Sequence, residues 1–308
     1  MQSARSSDRT PDHATPSGLG ASSGHGQPNR IRRFMNAGRI RIFLWALPVL
    51  LFITAAFVGP MLVEYNPVTV NISARLEPPG TALADGTRAW LGTDQVGQDV
   101  FAQVLQGARV SLLVGASTIL LAGLIGLLTG VIAGFHGGWI DVVLMRLADI
   151  QLAFPSILLA ILIAAVLGPS VLNVILALAL TRWVTFSRVA RAATLAARER
   201  DYVLAARAMG ANSWRLLIHH IIPSTIAPLI VIATVEVGLV IIAEASLSYL
   251  GLGSPPDQPS WGRSVANGRD YLNNAWWIST MPGLALSLVV LAIGIFGDRL
   301  RDYLDPRA

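Results

Sequence analysis

The sequence predicts an all-α integral membrane protein, a bundle of six transmembrane helices with both ends of the chain in the cytoplasm. Three observations carry that prediction. Of the 308 residues, 53% are hydrophobic and 13% charged, against roughly 25% charged in a soluble domain; mean hydropathy is +0.58. Uncharged runs recur at the ~20-residue length that crosses a bilayer. The arginines are unevenly placed: sixteen fall on segments read as inner, and only Arg75, Arg88, Arg263 and Arg269 on segments read as outer loops. Cationic flanks are retained in the cytoplasm, so this bias sets the orientation.

In chain order, residues 1–30 are rich in Ser, Gly and Pro without an apolar run and are expected to be a disordered tail. Residues 31–64 hold an arginine-rich flank and the first span, Ile42–Val63. Residues 65–108 form an extracytoplasmic segment with Pro, Gly and Asn turns. The core, 109–300, contains span two (Ser111–Gly134), span three (about Trp139–Gly168), span four (Val171–Val189), span five (Ile221–Leu250) and span six (Trp277–Gly297). A cytoplasmic loop, 190–222, lies inside that core, and 301–308 is a cytoplasmic tail.

Local patterns add detail. Gly126, Gly130 and Gly134 repeat every four residues and line one face of span two, which lets a neighbouring helix approach closely. Pro155 is expected to kink span three. Arg182 makes the apolar run of span four short and is expected to snorkel to the inner boundary. Trp276 and Trp277 suit an outer-interface belt. Charged residues inside spans face the bundle or water. Arg146 and Asp149, three apart, are neighbours on a helix, and Glu236 and Glu244, eight apart, share a face. These four are the gate or pathway candidates.

Absences narrow the function. The chain has no cysteine, which excludes disulfides and thiolate chemistry. It has no lysine, since all 23 basic residues are arginine, so it holds no phosphate-binding P-loop. Asp94 and Asp99 lack the ligand spacing of a calcium loop, and no metal site is expected. His136, His219 and His220 fall at the cytoplasmic edge, away from any nucleophile in the bilayer, so the chain is not expected to be an enzyme. Its arginines lie beside the membrane without stacking aromatics, which argues against nucleic acid.

The most informative stretch is Asp201–Pro223, a polar, basic island between two apolar blocks. Residues 201–209 read as a helix ended by Gly210 in the left-handed conformation. Asn212 or Ser213 then caps a second helix, 214–220, and Pro223 opens the next span. Ala205 and Ala206 leave a bare patch on the first helix. This spacing, Ala205-Ala206, three residues, Gly210, then His220-Ile221-Ile222-Pro223, resembles the "EAA" loop of ATP-binding-cassette importer permeases, with Leu204 where the family has glutamate. Two further stretches are similar to the dipeptide/oligopeptide/nickel subfamily of those permeases. One is Trp90–Gly115, WLGTDQVGQDVFAQVLQGARVSLLVG, with Gln98 and Gln103 at positions where the family shows arginine. The other is the C-terminal ASLSYLGLG, PPDQPSWG, MPG and GDRLRDYLDPR.

The resemblance covers about residues 40–308. It implies a type I importer permease bundle that translocates di- or oligopeptides, with nickel or another small solute as the alternative cargo. Its implied partners are a second homologous permease subunit, two ATPase subunits that bind ATP and magnesium, an extracytoplasmic substrate-binding protein and membrane lipid; no cofactor is expected on this chain. Leu204, Ala205, Ala206, Gly210, His220 and Pro223 become the ATPase-coupling candidates. Gly92, Thr93, Asp94, Gly97, Asp99 and Trp261 become candidate contacts for the binding protein. An ion-coupled secondary transporter is the rival reading; it would be self-sufficient and often built of inverted repeats, and no clear internal repeat is present.

Overall fold

The computed structural model describes residues 28–63, 66, 70–84, 86–255 and 257–304, with residues 28–44 as helical backbone only. The expected tail therefore lies outside the described residues up to position 27; its last three residues already belong to helix α1, Pro28–Leu62. The tail expected at 301–308 is helical to Leu304, and its remainder lies outside the described residues.

After α1, a short 3₁₀ turn (Ile72–Ala74) and a two-stranded hairpin (β1 Thr81–Ala82, β2 Arg88–Ala89) form an outer cap. Among the described residues nine helices follow: α2 Val100–His136, α3 Gly138–Leu152, α4 Ser156–Leu167, α5 Val171–Arg198, α6 Asp201–Ala208, α7 Ser213–Leu216, α8 Ile222–Tyr249, α9 Trp261–Gly268 and α10 Trp277–Leu304. Among the described residues five helical stretches are long and apolar enough to cross a membrane, and a sixth span results if the bent pair α3–α4 counts as one. Their outward faces carry Leu51, Met61, Leu120 and Val166, all at least 70% exposed. Such surface is stable against lipid tails and costly in water.

The most extensive helix pair is α2 with α5, and the glycine ladder explains it. A Cβ on Gly126 would lie 2.3 Å from the Phe186 Cβ, and one on Gly130 would lie 2.3 Å from the Ser187 carbonyl oxygen. The backbones meet where the glycines leave room, and Thr129 adds a hydroxyl hydrogen bond to Ser187 at 2.9 Å. Around this pair, α4 packs Ala160 and Ala164 on Val174 and Leu178 of α5. α8 lies against α2, α5 and α10, and α1 packs Ala56 against Trp261, Ile241 and Ile293.

Several expectations are corrected. Span three is two helices at 86° to each other rather than one kinked helix. Pro155 lacks the amide hydrogen needed to continue α3 and instead leads into α4. Span two begins at Val100, so the last residues of the expected outer segment are helical. α5 runs past Val189, the expected end of span four. It continues to Arg198, and Arg182 turns inward to Glu236 at 3.4 Å instead of snorkelling. The second helix of the island is not separate from span five, because a π turn at Leu217–Ile221 joins α7 to α8. The outer loop 251–280 contains a helix of its own, α9.

Candidate functional site

Two regions hold the candidate residues. The first is the polar island. α6 ends in a paired set of backbone bonds: the Gly210 amide donates to Arg207 and the Ala211 amide to Ala206. That pattern needs a left-handed residue, and Gly210 sits at φ +86°. Asn212 then caps α7, its side chain accepting from the Arg215 amide at 2.8 Å. The whole turn rests on Val203, Ala206 and Leu216, packed with Phe135 at the end of α2. Arg198 fastens the base by donating to the Gly134 carbonyl at 3.1 Å, where a cation also complements the C-terminal end of the helix dipole.

The coupling candidates are thus divided. Leu204, Ala205, Gly210 and Pro223 are exposed; His220 is half-buried, its ring 6.0 Å from that of Tyr202. Ala206 is buried, which corrects the bare patch expected of both alanines: only Ala205 presents it. Two residues missed in the sequence stand out on the same surface, Met209 at 82% and Trp214 at 70% exposure. Trp214 borders an open cleft of about 400 Å³ together with Gly210, Asn212, Arg215, Ile218 and His219. The available signal was that Met209 and Trp214 flank the Gly210 turn, where the chain cannot bury large side chains on both sides.

The second region is the outer cap. Asp94 is buried and its carboxylate accepts three hydrogen bonds, from the Val96 and Gln98 amides (2.9 and 2.8 Å) and from Gln103 Nε2 (2.6 Å). Gln103 in turn accepts from Ser264 of α9 at 3.1 Å. Thr93 is fully buried, and its carbonyl accepts from the Trp277 indole at 3.0 Å. Trp261, also fully buried, donates to the Val104 carbonyl at 2.9 Å. Asp99 caps α2 through the Phe101 amide at 2.8 Å; burial pushes its carboxyl above the ordinary range, and the Phe101 and Ala102 amides pull it back down.

These contacts correct the expected binding-protein surface. Gly92, Thr93, Asp94 and Trp261 are internal and tie the cap to α2, α9 and α10, while Gly97 and Asp99 are only half-buried. Trp277 likewise belongs to the cap's interior rather than to an interface belt; Trp276 is the exposed member of the pair. Truncating Asp94 to alanine orphans three donors at once, and charge-assisted bonds contribute about 1.5–3 kcal/mol each. The Val96 and Gln98 bonds are only partly buried, so their amides regain water and the loss falls below the three-bond sum: Asp94→Ala is expected to lower thermal stability in detergent by about 3 kcal/mol, with Asp94→Asn intermediate; unchanged melting of the alanine variant would count against the cap network.

The gate candidates do not converge. Asp149 pairs with Arg188 at 2.8 Å, so its expected pair with Arg146 is not formed, and both α3 residues are exposed. Glu236 is buried and held by Arg182. Glu244 is buried and accepts from Ser111 (3.0 Å) and Ser248 (2.7 Å), which ties α8 to α2. Inside this chain the two glutamates join helices, Glu236 linking α8 to α5 and Glu244 linking α8 to α2.

With this geometry in place, the comparisons with known proteins are specific. Residues 126–308 match the family described as binding-protein-dependent transport system inner membrane component. The chain is 40% identical over 263 residues to the probable D,D-dipeptide transport system permease protein DdpC of Escherichia coli, covering 85% of this chain and 86% of that one. It is 39% identical over 260 residues to the glutathione transport system permease protein GsiD of Pectobacterium atrosepticum, covering 84% of each. A solved chain of the MetNI methionine ABC transporter in an inward-facing conformation shares the fold, with TM-score 0.54 and 17% identity over 66% of this chain and 96% of that one. With its apolar helices, its capped cytoplasmic island and these relatives, the chain is a multi-pass inner-membrane transport permease and belongs to the binding-protein-dependent transport system inner membrane component family.

Proposed function

We propose that this chain is one of two permease subunits of an ATP-driven importer for di- or oligopeptides. A second permease chain, two ATPase subunits carrying ATP and magnesium, and an extracytoplasmic binding protein complete the machine. The observation that carries the reading is the island: α6, the left-handed Gly210 and the capped α7 form a rigid, exposed surface seated on the ends of α2 and α5. Leu204, Ala205, Met209 and Trp214 give that surface an apolar face suited to a partner's groove. Peptide cargo is supported by the relatives, whose names include a D,D-dipeptide and glutathione, both short peptides.

ATP closure in the ATPases displaces α6, and the bundle rocks between outward- and inward-facing states. The test is co-purification of the chain with its native partners in detergent, followed by ATPase measurement with binding protein and a dipeptide pool. The expected result is a complex with two ATPase chains whose hydrolysis rises when loaded binding protein is added. A chain that transports solute alone on an ion gradient would overturn the proposal.

A further inference from the structure

α3 and α4 are attached to α5 in different ways. α4 sits on the outer half of α5 by apolar packing. α3 sits on the inner half through polar side chains. Arg191 meets Asp141 with two parallel bonds, the second at 2.6 Å, and Arg188 reaches Asp149 at 2.8 Å. Gln151 donates to the Leu180 carbonyl at 2.7 Å and accepts from the Trp183 indole at 2.7 Å. The partners run antiparallel: position 141 faces 191 and position 151 faces 180–183, so both helices advance about ten residues between the first contact and the last. Ala148 is the one α3 side chain that is buried.

This matters because both ends of α3 are joints. Gly137 and Gly138 form its first joint at φ +64° and +58°, and the 86° corner follows it. An apolar contact is non-directional and tolerates sliding, whereas a two-pronged guanidinium–carboxylate pair fixes register. The Asp149–Arg188 pair is half exposed on both sides, and such pairs contribute little, ~0–1 kcal/mol. Asp141 is far better covered, at 18% side-chain exposure, so the Asp141–Arg191 pair dominates. α5 then runs unbroken from that clamp to Arg198, with α6 beginning at Asp201.

We infer that Asp141 and Arg191 are positioning residues for transport. They make α3 move as part of α5, so that a displacement entering through α6 arrives at the α3–α4 corner instead of being lost at the joints of α3. The inference rests on the importer reading above. Its test uses the complete transport complex in proteoliposomes with radiolabelled alanyl-alanine. Asp141→Asn is expected to leave assembly and basal ATP hydrolysis within about twofold while dipeptide carried per ATP falls about tenfold, equivalent to ~1.4 kcal/mol of lost coupling. The double variant Asp141→Arg/Arg191→Asp is expected to recover at least about half of wild-type coupling, because it restores the pair with its polarity reversed.

A second readout does not depend on uptake. The chain has no cysteine of its own, so spin labels at Val143→Cys on α3 and Ala192→Cys on α5 report their separation directly. In the wild-type background one narrow distance is expected in both nucleotide-free and nucleotide-trapped complexes, and Asp141→Asn is expected to broaden it. A wild-type separation that changes between the two states overturns the inference, as does an Asp141→Asn complex with unaltered distance and coupling. Absence of ATP-driven dipeptide uptake by the wild-type complex overturns the importer reading instead, and the spin-label distances still decide the clamp.

Discussion

Gly210→Val is expected to leave ATP hydrolysis running while uptake falls by about tenfold or more. The reason is confined to the backbone. Gly210 sits at φ +86°, and a Cβ built there meets no atom within 4 Å, so the first atom of a side chain finds open space. The left-handed conformation is what valine cannot hold: an L-residue there costs roughly 1–2 kcal/mol, and a β-branched one is a genuine outlier. The substituted turn relaxes, the Gly210 and Ala211 amides lose their carbonyl partners on α6, and α7 is no longer presented at a fixed angle. About 1.4 kcal/mol is a tenfold change in the population of the competent turn. Gly210→Asn is the control, because asparagine tolerates this conformation; it is expected to retain most uptake. The measurement is solute transported per ATP hydrolysed, and normal coupling in the valine variant would sink the role given to this turn.

Gly126→Leu is expected to prevent the bundle from assembling. A Cβ at this position lies 2.3 Å from the Phe186 Cβ and 2.7 Å from both the Ser187 amide nitrogen and the Trp183 carbonyl oxygen. Ordinary overpacking costs about 1–3 kcal/mol because side chains can repack. Two of these atoms are backbone and cannot rotate away, so the cost exceeds ~3 kcal/mol and is met only by parting α2 from α5. Gly123→Ala, three residues earlier, would place its Cβ an ordinary 3.8 Å from the Phe186 ring and is expected to behave as wild type. Membrane-integrated yield and melting in detergent distinguish the two. A normal yield of the leucine variant would show that this glycine ladder does not set the helix crossing.

Much of this architecture was legible because its signals are local. Gly210 and the Asn212 cap follow from conformational preferences over a few residues, and the Gly126–Gly134 ladder follows from helical period alone. The parts that were not legible depend on distant partners. Nothing near Asp149 indicates that it pairs with Arg188 rather than with Arg146, which is closer in sequence. Asp94, Thr93 and Trp261 sit in polar, turn-rich surroundings that read as exposed; the burial of Asp94 and Thr93 depends on Gln103 of α2, Ser264 of α9 and Trp277 of α10, and that of Trp261 on Val104 of α2. The corner at Pro155 was anticipated as a bend, but its 86° angle is set by two different seats on α5, one apolar and one polar, which no local pattern encodes.

The outer cap also constrains how the protein is made. Its strands and turns are synthesised early, between α1 and α2, yet the bonds that close it join Trp277 to Thr93, 184 residues apart, and Ser264 to Gln103, 161 apart. Contacts between such distant positions form late in folding. During translation the cap therefore emerges with the Gln103 side-chain oxygen and the Thr93 carbonyl still without their partners from α9 and α10, and it closes only after α9 and the start of α10 have been inserted. A ribosome that stalls before residue 277 releases a chain whose outer surface is open.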